Sequence, residues 1–143
     1  MAQIFSTVSP AMHDEFEIAY SARWYARFGL GYYGCCEPLD RKVDIIRKLP
    51  HVRKISMSPW VDVERGAERI GRDFVFSRKP SPALLAGDTW EPAAVERDLR
   101  ATLAACDRHA CPVELILKDI STVRYQPQRL WEWADVARKV VGG

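Results

Sequence analysis

An α/β fold is predicted for this chain: half of a TIM (β/α)8 barrel, four βα units behind a leading helix, spanning residues 1–143 as one domain. Three observations predict it. Short β-rich runs alternate with helical runs, which is the pattern of a parallel sheet. The chain opens on a helix with no strand of its own before it. Its 143 residues fall short of the roughly 250 that a closed barrel takes, while four parallel strands alone leave two edges unpaired.

Each element has a local signal. Ser9 and Pro10 open a helix expected to reach about Phe28, Ser being a good cap and Pro a good first helical residue. "LGYYGCC" supplies the first strand, Leu30–Cys35, followed by a helix from Asp40 to about Lys48 that Pro50 stops. "VRKISMS" is the second strand, Val52–Met57; Asp62 caps the next helix and Gly71 ends it. "DFVFS" gives the third strand, Phe74–Ser77, and leads into the Pro-rich loop "RKPSPALLAGDTWEP". A helix over about Pro92–Ala105, a fourth strand Val113–Lys118 in "VELILKD", and a last helix from near Pro127 to Val141 complete the chain. In that last helix Leu130, Trp133, Ala134, Ala137 and Val141 form the core-facing stripe.

Composition narrows the function classes. With 48% hydrophobic residues and 21 basic against 19 acidic side chains, the chain carries enough for a core and too even a charge to mark a nucleic-acid or membrane surface. No apolar run reaches the ~20 residues of a membrane helix, and Met1 to Pro10 lacks the features of a signal peptide, so a cytoplasmic location is expected. In a reducing compartment the four cysteines are free, metal-bound or reactive rather than a disulfide framework. A half that pairs with a missing N-terminal half, or with itself, is the expected partner arrangement.

In a barrel the chemistry gathers in loops after the strands and stability in loops before them. After the strands lie Cys35, Cys36 and Glu37; Ser58 and Trp60; Ser77, Arg78 and Lys79; and Lys118, Asp119, Thr122 and Arg124. His13 starts a helix at the same end and is expected to be solvated. Cys106 and Cys111, with His51 and His109, belong to the opposite end as packing residues. Strands of five or six residues separate the two ends by ~17–20 Å, too far for all four cysteines to share one metal.

Soft thiolates suit a metal such as zinc, and they become nucleophilic when a metal or cation lowers their pKa. The alternative for Cys35 and Cys36 is plain packing at a tight strand end. Alternation sends Phe74 and Phe76 toward the helices and Ser77, Lys79 and Lys118 inward. Those lysines, with Arg78 and Arg124, either grip an anionic ligand or form an internal network with Asp119 and Glu37. Trp60 is a candidate wall for a flat ring, against the commoner role of packing under a loop.

The stretch "SPAMHDEFEIAYSARWYARFGLGYYGCCEPLD", together with "ISMSPW", "SRKPSP" and "LKDISTVR", resembles the C-terminal half of the uroporphyrinogen decarboxylase-like superfamily. The resemblance implies a (β/α)8 barrel, and membership among tetrapyrrole decarboxylases or zinc-dependent methyltransferases that work with corrinoid proteins. Those methyltransferases place a His-x-Cys motif after the matching strand. Here Cys35 stands at the motif cysteine and Tyr33 at the histidine, while the last strand offers Lys118 and Asp119 in place of a further thiol. The expected function of the intact barrel is corrinoid-linked methyl transfer. Tetrapyrrole decarboxylation and a non-catalytic fragment or subunit are the alternatives. Cys35, Cys36, Glu37 and Asp119 form the expected catalytic set, and Lys79, Lys118, Arg78, Arg124 and Trp60 hold the substrate. Cys35 and Glu37 are the candidate zinc ligands, and the corrinoid is expected on a partner protein.

Overall fold

Ser9 accepts a hydrogen bond from the backbone N–H of Met12 (3.2 Å) and Pro10 takes the first helical position, so the leading helix starts where its capping residues place it. The computed structural model describes residues 2–142. A short 3-10 turn, Ala2–Phe5, precedes α1 (Pro10–His13), which continues through a π-helical turn, Asp14–Ile18, into α2 (Ala19–Tyr25). The helix ends short of Phe28. The Tyr25 hydroxyl donates to the Tyr32 carbonyl (2.8 Å), and the Tyr25 ring occupies the space where a Cβ on Gly31 would stand, 2.5 Å away. Chain reversal onto the first strand therefore begins at Tyr25.

The sheet has four parallel strands in the order β1-β2-β3-β4, as the alternation predicts. β1 spans only Gly31–Tyr33, because Gly34 at φ 95° turns the chain out of the ladder. α3 (Val43–Ile46) is shorter than expected, since Leu39–Lys42 form a separate turn and the Asp40 carboxylate is held by Arg65 at 2.8 Å. β2 (Val52–Met57) and α4 (Val63–Ile70) match their expected bounds. Asp62 Oδ1 accepts from Arg65 N (3.0 Å), and Gly71 ends α4 at φ 52°.

β3 is Val75–Arg78, one residue later than expected. The Pro-rich segment contains a turn of helix, α5 (Ala83–Ala86), anchored by the fully buried Leu85. α6 (Pro92–Arg108) runs nearly a turn past Ala105. β4 stops at Leu115, because β3 offers no residue beyond Arg78; Ile116 N donates to Arg78 O (2.8 Å), and the chain then leaves the sheet. α7 covers Gln128–Gly142. Among the described residues, no helix is long and apolar enough to cross a membrane.

Alternation sorts the sheet into two faces. Tyr33, Ile55, Met57 and Phe76 pack with Val43, Ile46, Ala67 and Ile70 of α3 and α4, and Phe74 joins them. A second cluster joins Leu85, Val95, Leu99, Trp133 and Val140, with Leu115 and Leu117 against it. At ~25 cal/mol per Å² of apolar area removed from water, this burial is the main term favouring the fold. The other face is polar. Lys54 reaches Glu114 across two strands (2.5 Å), and Tyr32 Oη meets Ser77 Oγ (3.0 Å).

Five side chains differ from expectation. His13 is fully buried rather than solvated, stacked on Phe5 at 5.0 Å between ring centroids. His51 is exposed, on a turn with φ 61°, and half-buried His109 ties to Glu64 (2.8 Å) instead of packing. In α7, Ala134 and Val141 are exposed, and Val140 takes the buried place. Cys106, in the last turn of α6, and Cys111, just before β4, are buried as expected, and hydrogen bonding to Cys106 and burial push the Cys111 thiol up.

Candidate functional site at the C-terminal ends of the strands

Gly34 builds the site. Its left-handed backbone lets the chain fold back so tightly that a Cβ there would lie 2.5 Å from Leu39 Cδ1, and the two residues after it present their thiols side by side. Cys35 Sγ and Cys36 Sγ are 3.4 Å apart and free. The turn is tied from three sides. Ser56 Oγ donates to the Cys35 carbonyl (2.6 Å), and Lys79 Nζ donates to the same carbonyl (2.7 Å) and to Ser56 Oγ (2.6 Å). Lys79 is thus an internal brace, buried and lying over the Tyr32 ring at 5.3 Å.

From the segment after β4, Lys118 Nζ reaches Cys36 Sγ at 3.1 Å and Cys35 Sγ at 3.7 Å. Asp119, at φ 56°, places Oδ2 2.8 Å from Lys118 Nζ and 3.4 Å from Cys36 Sγ. The hydrogen bond to Asp119 holds the Lys118 ammonium above its ordinary pKa, and Lys118 holds the Asp119 carboxyl below its own. Lys118 draws the Cys36 thiol down. The bond with Cys35, desolvation and the Asp119 carboxylate push harder the other way, so the net direction for Cys36 is up. The thiol therefore keeps its proton at neutral pH, hydrogen-bonded toward Asp119 and next to a fixed positive charge.

Cys36, Lys79, Lys118 and Asp119 line a cavity of about 260 Å³, closed on one side by the prolines after β3 and on another by Trp60. Trp60 is 80% exposed, so it does not pack under its loop but stands as a free wall beside the thiol.

The remaining candidates lie elsewhere. Both Glu37 carboxylate oxygens accept from Cys35 N–H (3.2 and 3.1 Å), and the side chain is buried beneath the turn, bracing it from below. Arg78 points to the helix side, donating to the Ser58 carbonyl (2.8 Å) and Asp98 (3.4 Å). Arg124 pairs with Asp88. Among the described residues no group of three or more His, Cys, Asp or Glu side chains gathers that could hold a metal ion. With Glu37 committed to a backbone amide, Cys35 and Glu37 do not fit a three-ligand zinc centre.

Sequence reasoning passed over a second polar cluster. The Tyr33 hydroxyl donates to Glu17 Oε2 (2.6 Å) and meets His13 Nε2 (2.8 Å), while Lys42, also buried, donates to the Phe5 carbonyl (2.5 Å). The spacing of His13 and Glu17 by four residues on one helix was the available signal.

No protein-family model, curated protein or solved structure matches the chain.

Proposed function

We propose that the chain corresponds to the C-terminal half of a uroporphyrinogen decarboxylase-like barrel, and that the closed barrel accepts a methyl group from a corrinoid at the Cys35–Cys36 thiol pair. The observation that carries this reading is the contact of Lys118 Nζ with Cys36 Sγ at 3.1 Å, at the C-terminal end of a parallel sheet. That is where α/β sheets and barrels place their chemistry.

Each residue then has a role that its position supports. Cys36 Sγ would be the acceptor: as its bond to the methyl carbon forms, the donor's cobalt–carbon bond would break with its electron pair left on the departing corrinoid, and the thiol proton would pass to the Asp119 carboxylate, 3.4 Å away. Lys118 steadies the developing thiolate. Cys35 offers a neighbouring S–H, and Glu37, Ser56 and Lys79 hold the turn in place. Trp60 provides a face on which a flat macrocycle stacks. The resemblance suggests zinc, but no step here uses it. Tetrapyrrole decarboxylation has less support, because Lys79, Arg78 and Arg124 are each committed to internal partners instead of facing a carboxylated substrate.

The test is incubation of the chain with free methylcobalamin, followed by mass spectrometry of the peptide containing Cys35 and Cys36. One added methyl on Cys36, abolished in Cys36→Ser and reduced in Lys118→Met, is the expected result. Methylation no faster than that of a free thiol, or unchanged in Cys36→Ser, overturns the reading.

A further inference from the structure

We propose that two copies of this chain associate about a twofold axis parallel to the strands, β1 of each copy beside β4 of the other, closing an eight-stranded parallel barrel. This does not rest on the thiol chemistry. It rests on what the two ends of the sheet leave uncovered.

Among the described residues, neither β1 nor β4 has a strand on its outer side. An unpaired edge is a template for another strand. On the β1 edge, the Tyr25 hydroxyl donates to the Tyr32 carbonyl. On the leading helix and the turn that joins it to β1, Met12, Phe16, Tyr20, Trp24 and Phe28 follow one another every four residues and are 48–63% exposed. In a regular helix this spacing drifts by 40° at each step. The π-helical turn at Asp14–Ile18 turns less per residue and offsets part of the drift along Met12, Phe16, Tyr20 and Trp24, while Phe28 lies in the turn that follows α2. Ile18 and Ala22 point the opposite way, into this chain's own core.

The other end carries the matching surface. Leu103, Leu115, Trp133, Ala137 and Val141, with Glu114 and Arg138, line a mostly apolar groove of about 430 Å³ where α6, β4 and α7 meet. Val141 is 65% exposed there.

The area suffices for a stable pair. At ~200 Å² per large apolar side chain and somewhat over half exposure, the stripe and Leu30 offer about 700 Å² at each seam. A stable interface needs about 800 Å² per partner in all, and a twofold pair has two such seams. Four strands from each copy make eight, the number at which side chains fill a barrel interior. The polar face of Lys54, Ser56, Ser77, Lys79 and Glu114 would then be enclosed, and both copies' Cys35–Cys36 turns would face one shared mouth.

Sedimentation of the chain across the micromolar range tests the proposal. The expected species has twice the monomer mass. Trp24→Glu on the stripe and Val141→Arg at the groove should each give monomers with an unchanged circular dichroism spectrum. A mixture of the two variants should regain dimers, because a mixed pair keeps one wild-type seam. A monomer at all concentrations overturns the proposal, as does an aggregate without defined mass. A dimer lost in Trp24→Glu but kept in Val141→Arg places stripe against stripe and overturns it as well.

Discussion

The imidazole Nε2 of His13 lies 2.8 Å from the hydroxyl of Tyr33, inside the protein, between the leading helix and the first strand. The Tyr33 proton is already committed to Glu17 Oε2 at 2.6 Å, so the tyrosine oxygen is the acceptor and His13 carries its proton on Nε2. Its Nδ1 is then a bare acceptor, buried with no hydrogen-bond partner among the described residues. The same bond to Glu17, together with burial, holds the Tyr33 hydroxyl well above its ordinary pKa, burial being the larger cause.

Acid should therefore loosen this joint. Burial, and after it the Lys42 ammonium, lower the His13 pKa from its ordinary 6.5. The unfolded chain takes up the imidazole proton first as pH falls, so between 6.5 and the lower folded value it binds more protons than the native state. Stability from this group is whole above pH 6.5 and declines below it. Urea midpoints measured from pH 7.5 downward should fall below pH 6.5 in the wild type, and this part of the decline should be absent in His13→Leu. Equal slopes in the two proteins would show that His13 does not set the acid limb.

Gly34 is the position least able to change. At φ 95°, any side chain meets both an unfavourable backbone and a filled space, with Leu39 Cδ1 at 2.5 Å, Ser56 Cβ at 3.0 Å and Glu37 Oε1 at 3.2 Å from a built Cβ. Left-handed strain alone costs about 1–2 kcal/mol for an ordinary residue, and crowding of this kind typically adds 1–3 kcal/mol. Gly34→Ala should lower the denaturation free energy by about 2–5 kcal/mol and splay the thiols. Gly29→Ala, with open space around its Cβ, is the control. Similar midpoints for the two variants would remove Gly34 from the architecture of the site.

Where the chain carries its own stop signals, the sequence was readable. Asp62 and Gly71 bracket α4, and the alternation of "VRKISMS" delivers β2 at its full length. The ends of β1 and β4 were not readable, because a strand stops where its neighbour stops; β4 leaves the sheet when β3 runs out at Arg78. Topology alone brought Cys36, Lys118 and Asp119 together across more than 80 residues, since loops after parallel strands share one end. Orientation within that end was not legible. Arg78 alternates to the helix side, and Glu37 turns under its own loop, both decided by partners such as Ser58 O and Cys35 N. His13 looked solvated because its burial depends on Phe5 and Tyr33, which no local pattern links to it.

The ion pair beside the thiols acts on Cys36 with opposite signs, and that opposition is measurable. Lys118 lowers the pKa of the Cys36 thiol, whereas Asp119 raises it by hydrogen bonding and by engaging the Lys118 ammonium at 2.8 Å. Lys118→Met should move the ionisation of Cys36 further up, because the strongest influence favouring the thiolate is gone. Asp119→Asn should move it down, because a repelling carboxylate is removed and the ammonium is released to the sulfur. Alkylation of Cys36 by iodoacetamide, followed at that residue by mass spectrometry from pH 6 to 10, reads both shifts. Each pKa unit changes the thiolate fraction about tenfold on the acidic side of the titration. At pH 7 the expected order of rates is Asp119→Asn, then wild type, then Lys118→Met. If both variants shift in the same direction, neighbouring charge does not govern this thiol, and the role assigned to Lys118 in steadying a thiolate fails with it.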